Sequence, residues 1–114
     1  MKLISASPGI TEIDVNLMMK RTGVKDDDIT KLVGGEWVLS VRQRGSYTVA
    51  MITKTAFPIA IGVSKRMMED RDNPIIGGRQ ALRRCFTEVN MLLDKKVRKE
   101  KVNERLEEST PIAK

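Results

Sequence analysis

The chain has 114 residues, a formal net charge of +6 and an isoelectric point near 9.7, a length that suits one domain around one core. With 40% apolar and 32% charged residues it is too apolar for a disordered chain. The lack of histidine and the single cysteine remove the commonest general base, a serine-protease type of triad and the ligand set of a zinc site.

Taken in chain order, Thr11 to Thr22 is predicted as a first helix, with Thr11 as cap and Glu12 and Asp14 suiting its positive end. Its apolar face is expected to comprise Ile13 and Leu17, with Val15 and Met18 beside them. Gly23 stops it, and a short helix from Asp26 to Val33 ends at Gly34-Gly35. This pair has the spacing of a helix-turn-helix. Asp26, Asp27 and Asp28 would then face DNA phosphate, however, so the pair is read as a packing or oligomerisation element. Trp37 to Arg44 and Tyr47 to Lys54 alternate as strands, and Gly45-Ser46 joins them in a two-residue turn with glycine first. A third strand is expected over Ile59–Lys65, entered through Pro58. Asn73-Pro74 is a helix-start signature, and a final helix is predicted from there to Glu107, burying Leu82, Phe86, Val89 and Leu93. Cys85 falls in the same stripe and is expected to be a buried small hydrophobe. Gly77 and Gly78 each cost a helix about 1 kcal/mol against alanine, and they imply a close approach by another backbone or a ligand. The fold class is thus α+β: two N-terminal helices, a three-stranded antiparallel sheet and a long C-terminal helix packed on it. Residues 1–114 form one domain, divided into a helical element over 1–36, a β-β-β-α core over 37–108 and a frayed tail over 109–114.

Function is bounded by absences and by charge. Gly77-Gly78-Arg79 makes neither a phosphate loop nor a dinucleotide fingerprint, and Glu69-Asp70-Arg71-Asp72 reads as a charged loop rather than a carboxylate site. The expectation is a binding protein, not an enzyme, with no cofactor and no metal. No apolar run approaches the ~20 residues of a membrane helix, and the apolar stretch after Met1 is too short for a signal peptide. A reducing cytoplasm is the expected compartment, with no membrane partner. Residues 1–36 carry a net charge of −1 and residues 37–105 a net of +8, so an anion is expected to meet the second part. Lys65, Arg66, Arg71, Arg79, Arg83 and Arg84 gather around the third strand's exit and the last helix's start, a corner suited to phosphate. Phe57 lies at a strand entrance, where a ring either packs in the core or stacks on a base. Arg42 and Arg44, with Lys54, extend the basic surface or are ordinary outward residues. A surplus of apolar-faced helix implies a homo-oligomer, a dimer or higher, through residues 11–33 or the last helix.

The stretch from Ile61 through Gly62-Val-Ser-Lys-Arg66 and Asn73-Pro-Ile-Ile-Gly-Gly-Arg79 to Ala81-Leu-Arg-Arg-Cys-Phe86 resembles the first family of Thoeris anti-defence proteins. These are phage sponges that sequester cyclic ADP-ribose isomers made by bacterial TIR-domain defence enzymes. The resemblance covers about a quarter of the chain closely. It implies a small cyclic nucleotide as partner, the cytoplasm of an infected bacterium as setting, and immune evasion by binding without cleavage. It carries ligand contacts onto Phe57 and Arg84, with Arg79 and Lys65 nearby. The family's loop asparagine is replaced by Met67, so that contact is either lost or passes to Asn73. A second resemblance, in topology, is to double-stranded RNA-binding domains. Three acidic residues before the last helix oppose duplex phosphate there, so nucleic acid is the less favoured partner. A third reading is a protein inhibitor that acts on a host enzyme through the basic face.

Overall fold

A computed structural model of the chain describes residues 2–5, 9–55, 57–65 and 74–109. The elements are β1 (Lys2–Ser5), α1 (Glu12–Thr22), α2 (Asp26–Val33), β2 (Val38–Arg44), β3 (Tyr47–Lys54), β4 (Phe57–Lys65) and α3 (Pro74–Ser109). The sheet order is β1-β2-β3-β4; β2 to β4 are antiparallel, and β1 adds to β2 in parallel. The α+β architecture, with the last helix on a three-stranded antiparallel sheet, is as predicted. The first 36 residues were expected to be helical alone, but they also supply β1, which is too short to show a period in the sequence.

Inward residues of the sheet, Leu39, Val41, Ala50, Ile52 and Ala60, meet Leu82, Cys85, Phe86 and Val89 of α3 in the core. Val15, Met18 and Met19 of α1 and Ile29 and Val33 of α2 close the same core, so all three helices cover one face of the sheet. Trp37 is buried, and its indole N–H donates to the Asp26 carboxylate at 2.8 Å, tying the start of α2 to the sheet. The hairpin turn is as expected: Arg44 pairs with Tyr47, and Gly45 has φ +61°, the positive angle that a type II′ turn places first.

The face of α1 corrects the expectation from the sequence. Val15 and Met18 are buried as expected and Leu17 is partly buried against the core, but Ile13 is 78% exposed, and Met19 and Asp14 are buried in its place. The reason is electrostatic. The Asp14 carboxylate accepts hydrogen bonds from the Thr11 backbone N–H (2.9 Å) and hydroxyl (3.2 Å) and pairs with Arg79 Nε at 2.7 Å. These bonds turn that side of α1 toward α3 and leave Ile13 on the outside.

The glycines of α3 also find their explanation in packing. A Cβ on Gly78 would lie 2.3 Å from the Ile10 side chain, and one on Gly77 would lie 3.3 Å from Thr48 Oγ1. The close approach comes from side chains, not from another backbone. The backbone approach occurs at Gly62, where a Cβ would lie 2.1 Å from the Ala81 carbonyl and 2.3 Å from the Cys85 nitrogen. No helix among the described residues is long and apolar enough to cross a membrane.

Candidate functional site

β4 is one of the two edge strands of the sheet among the described residues, β1 being the other. The two ends of β4 carry the residues that the sequence singles out. At its start Phe57 pairs with Lys54, and its ring is 74% exposed, so this aromatic contributes nothing to the core. At its end the Arg84 guanidinium donates through Nη1 to the Val63 carbonyl at 2.5 Å, reaching from α3 over the strand edge. Arg84, Arg83 and Gln80 line a recess of about 100 Å³ there. α3 is held against β4 by the Ser64 hydroxyl, which donates to the Gly77 carbonyl at 2.6 Å.

The remaining candidates are dispersed. Lys65 lies in the cross-strand row Arg44–Tyr47–Lys65, on the sheet face turned away from the helices. Arg79 is bound through Nε to Asp14, with 42% of its side chain exposed, and its first role is to join α1 to α3. Met67 and Asn73, like Arg66 and Arg71, lie outside the described residues. Lys54 does not extend the basic surface of Arg42 and Arg44; its ammonium donates to the Val33 carbonyl at 2.7 Å at the end of α2. Val63 lies six positions after Phe57; at ~3.3 Å per residue, Phe57 and the Arg84 contact are ~20 Å apart in one chain. One copy therefore does not bring them around a single nucleotide.

Among the described residues, two titratable groups are shifted from their ordinary values. Burial pushes the Cys85 thiol up to about 12, despite a backbone hydrogen bond at Ile52, and the charge of Glu88 adds to the rise. The thiol is closed in the core beside the Ala60 carbonyl, which makes it a packing group as expected. Burial alone would raise the Asp14 carboxyl. The hydrogen bonds from the Thr11 N–H, Arg79 and the Thr11 hydroxyl, with the charge of Arg79, outweigh it and hold the group below its ordinary value. Among the described residues no three His, Cys, Asp or Glu side chains gather as a metal site.

Three features are less legible in the sequence. The Asp14–Arg79 pair spans 65 positions with no local signal. Gly62 sits in an ordinary strand pattern, and only an isolated glycine inside it hints at a close approach. The third is the side that β3 presents: Thr48, Ala50 and Ile52 point inward, and Tyr47, Val49 and Met51 lie on the open face. No protein-family model matches the chain, and the comparisons with curated proteins and with solved structures returned no match.

Proposed function

We propose that the protein is a phage anti-defence sponge, which binds cyclic ADP-ribose-type signalling nucleotides without cleaving them and so blocks TIR-based immunity in the cytoplasm of an infected bacterium. The observation that carries the reading is an exposed Phe57 at one end of a free strand edge that Arg84 crosses at the other. A phenyl ring stacks on a base. An arginine beside a helix recess holds a pyrophosphate through charge-assisted hydrogen bonds. Both halves of the ligand are served, but ~20 Å apart in one chain.

A second copy resolves the distance. If two β4 edges pair antiparallel about Ile61, Phe57 of one copy stands opposite Lys65 of the other. Val63 of that copy, where Arg84 is anchored, then stands opposite Ile59, two residues or ~7 Å from Phe57. Each dimer thus holds two equivalent sites, with the ring from one chain and the guanidinium from its mate. Capture without cleavage is supported by the chemistry at hand: the chain has no histidine, and its one thiol is buried and held protonated.

Calorimetry with cyclic ADP-ribose isomers tests the proposal. Arg84→Ala is expected to weaken capture about ten- to a hundred-fold, the loss of one charge-assisted contact of about 1.5–3 kcal/mol. Phe57→Ala is expected to weaken it less. Mixing the two variants should restore one intact site per mixed dimer. Salt-sensitive binding of duplex RNA, with no heat from any cyclic nucleotide, would give the protein to the RNA-binding class instead.

A further inference from the structure

The three helices cover one face of the sheet, and the other face has no covering element among the described residues. A solvated face of an antiparallel sheet is normally polar. This one is not. β3 puts Tyr47, Val49 and Met51 on it, and β4 puts Ile61 and Val63 beside them. In cross-strand rows the face reads Arg44–Tyr47–Lys65, then Arg42–Val49–Val63, then Ser40–Met51–Ile61. One end is cationic and the middle is apolar. Among the residues of these rows there is no carboxylate. Between β2 and β3 the face dips into a groove of about 200 Å³, with Arg42 and Arg44 at one end and Val49 and Met51 along its floor.

We infer that this open face is a docking surface for an acidic amphipathic helix of a partner protein. Three kinds of observation select that occupant. The first is charge: three cations at one end of the face, Arg44 and Lys65 in one row and Arg42 in the next, with no carboxylate in these rows, call for carboxylates from outside. The second is chemistry: the centre is valine, isoleucine and methionine, with a single ring at Tyr47. A single-stranded nucleic acid needs a series of stacking platforms, whereas aliphatic side chains and methionine receive the apolar stripe of a helix. Tyrosine, methionine and arginine are also types enriched at protein interfaces. The third is shape: the three strands at ~4.8 Å spacing give a strip ~10 Å across, comparable with the ~10 Å diameter of a helix, and the groove between β2 and β3 offers it a seat. A second copy of this face is a poor occupant, because it would answer three cations with three more.

The surface shares the β4 residues Ile61, Val63 and Lys65 with the proposed dimer edge, but Arg42, Arg44 and Met51, the residues that test it, take no part in the nucleotide site. The probe is a labelled peptide of about five helical turns, ~18 residues, with leucine at helical spacing and glutamate elsewhere. A second peptide with lysine for glutamate and a single-stranded oligouridylate serve as comparisons. By fluorescence anisotropy the acidic peptide is expected to bind with an affinity that falls as salt is added, and the lysine peptide not to bind. The double variant Arg42→Ser/Arg44→Ser and the single variant Met51→Ser are each expected to weaken binding about tenfold. Circular dichroism and capture of cyclic nucleotide should be unchanged in both. The inference is overturned if the acidic peptide fails to bind the native protein, if both variants bind it as tightly as the native protein, or if the oligouridylate binds and the peptide does not.

Discussion

Asp14 shows how one buried carboxylate fixes the orientation of a helix. Read for apolar spacing, α1 is expected to bury Ile13 and Leu17 with Val15 and Met18 beside them, and the periodicity alone does not show that Ile13 turns outward while Asp14 and Met19 turn in. The partner that decides the matter, Arg79, lies on α3 and leaves no trace near α1 in the sequence. The same pairing gives a pH dependence with a definite sign. Because the native carboxyl is held below its ordinary 3.8, the unfolded chain takes up that proton at a higher pH than the native chain does. The stabilisation is full above the ordinary value and is lost as pH falls through the lower native one. Asp14→Asn should lower stability near neutral pH by about 1 kcal/mol, a modest figure because Arg79 is partly exposed and water screens the pair. It should also flatten the acid limb below pH 4, so urea midpoints measured from neutral pH downward check both effects. If the variant kept the native acid limb unchanged, the pair would not be its source.

At the scale of elements, the sequence predicts best where local chemistry is complete within a few residues. The hairpin announced itself through Gly45-Ser46, and the start of α3 through Asn73-Pro74, because turns and helix starts are settled by neighbours. The stripe Leu82, Phe86 and Val89 was legible for the same reason, since the period of α3 is long and uniform. β1 was not legible, because four residues pairing in parallel across more than 30 intervening positions carry no period. Nor was the inward side of β3, since Val49 and Met51 look more like core residues than Thr48 and Ala50. Packing at Gly62 decides where α3 sits. With a Cβ 2.1 Å from the Ala81 carbonyl, Gly62→Ala must push the helix off β4, because the atom in the way is backbone and has no rotamer to change. The expected cost is about 3 kcal/mol, at the upper end for overpacking, read as a lower urea midpoint with an unchanged slope. Gly35→Ala, where an added Cβ meets nothing within 4 Å, is the natural control.

The whole molecule is longer than a compact chain of its size. Its radius of gyration is 17.4 Å, against ~13 Å expected for a globule of this length. α3 accounts for the difference: 36 residues make a rod of ~54 Å in a molecule 67 Å long. Of the proposed nucleotide site, the sequence supplied the residue types at Phe57 and Arg84, but not their separation along β4. That separation is what makes association a requirement of the proposal. The Val63 carbonyl meets Arg84 at the strand edge, so residues at even steps from it, Ile61 included, direct their own N–H and C=O groups to that open side. Apart from the Val63 carbonyl, which also accepts from Arg84, an edge row of this kind templates pairing with another chain. Ile61→Pro removes the N–H at the centre of the row and leaves the bonds to β3 intact, as proline on an edge strand allows. By light scattering at tens of micromolar, the native chain is expected at twice its 12.8 kDa or above, and Ile61→Pro at 12.8 kDa with native circular dichroism. Capture of cyclic nucleotide should fall with the dimer, because each monomer would retain a ring at one end of β4 and a guanidinium at the other with no mate to complete either. A monomeric Ile61→Pro that still bound the nucleotide at native affinity would show that one chain alone forms the site, and the edge-paired arrangement would have to be abandoned.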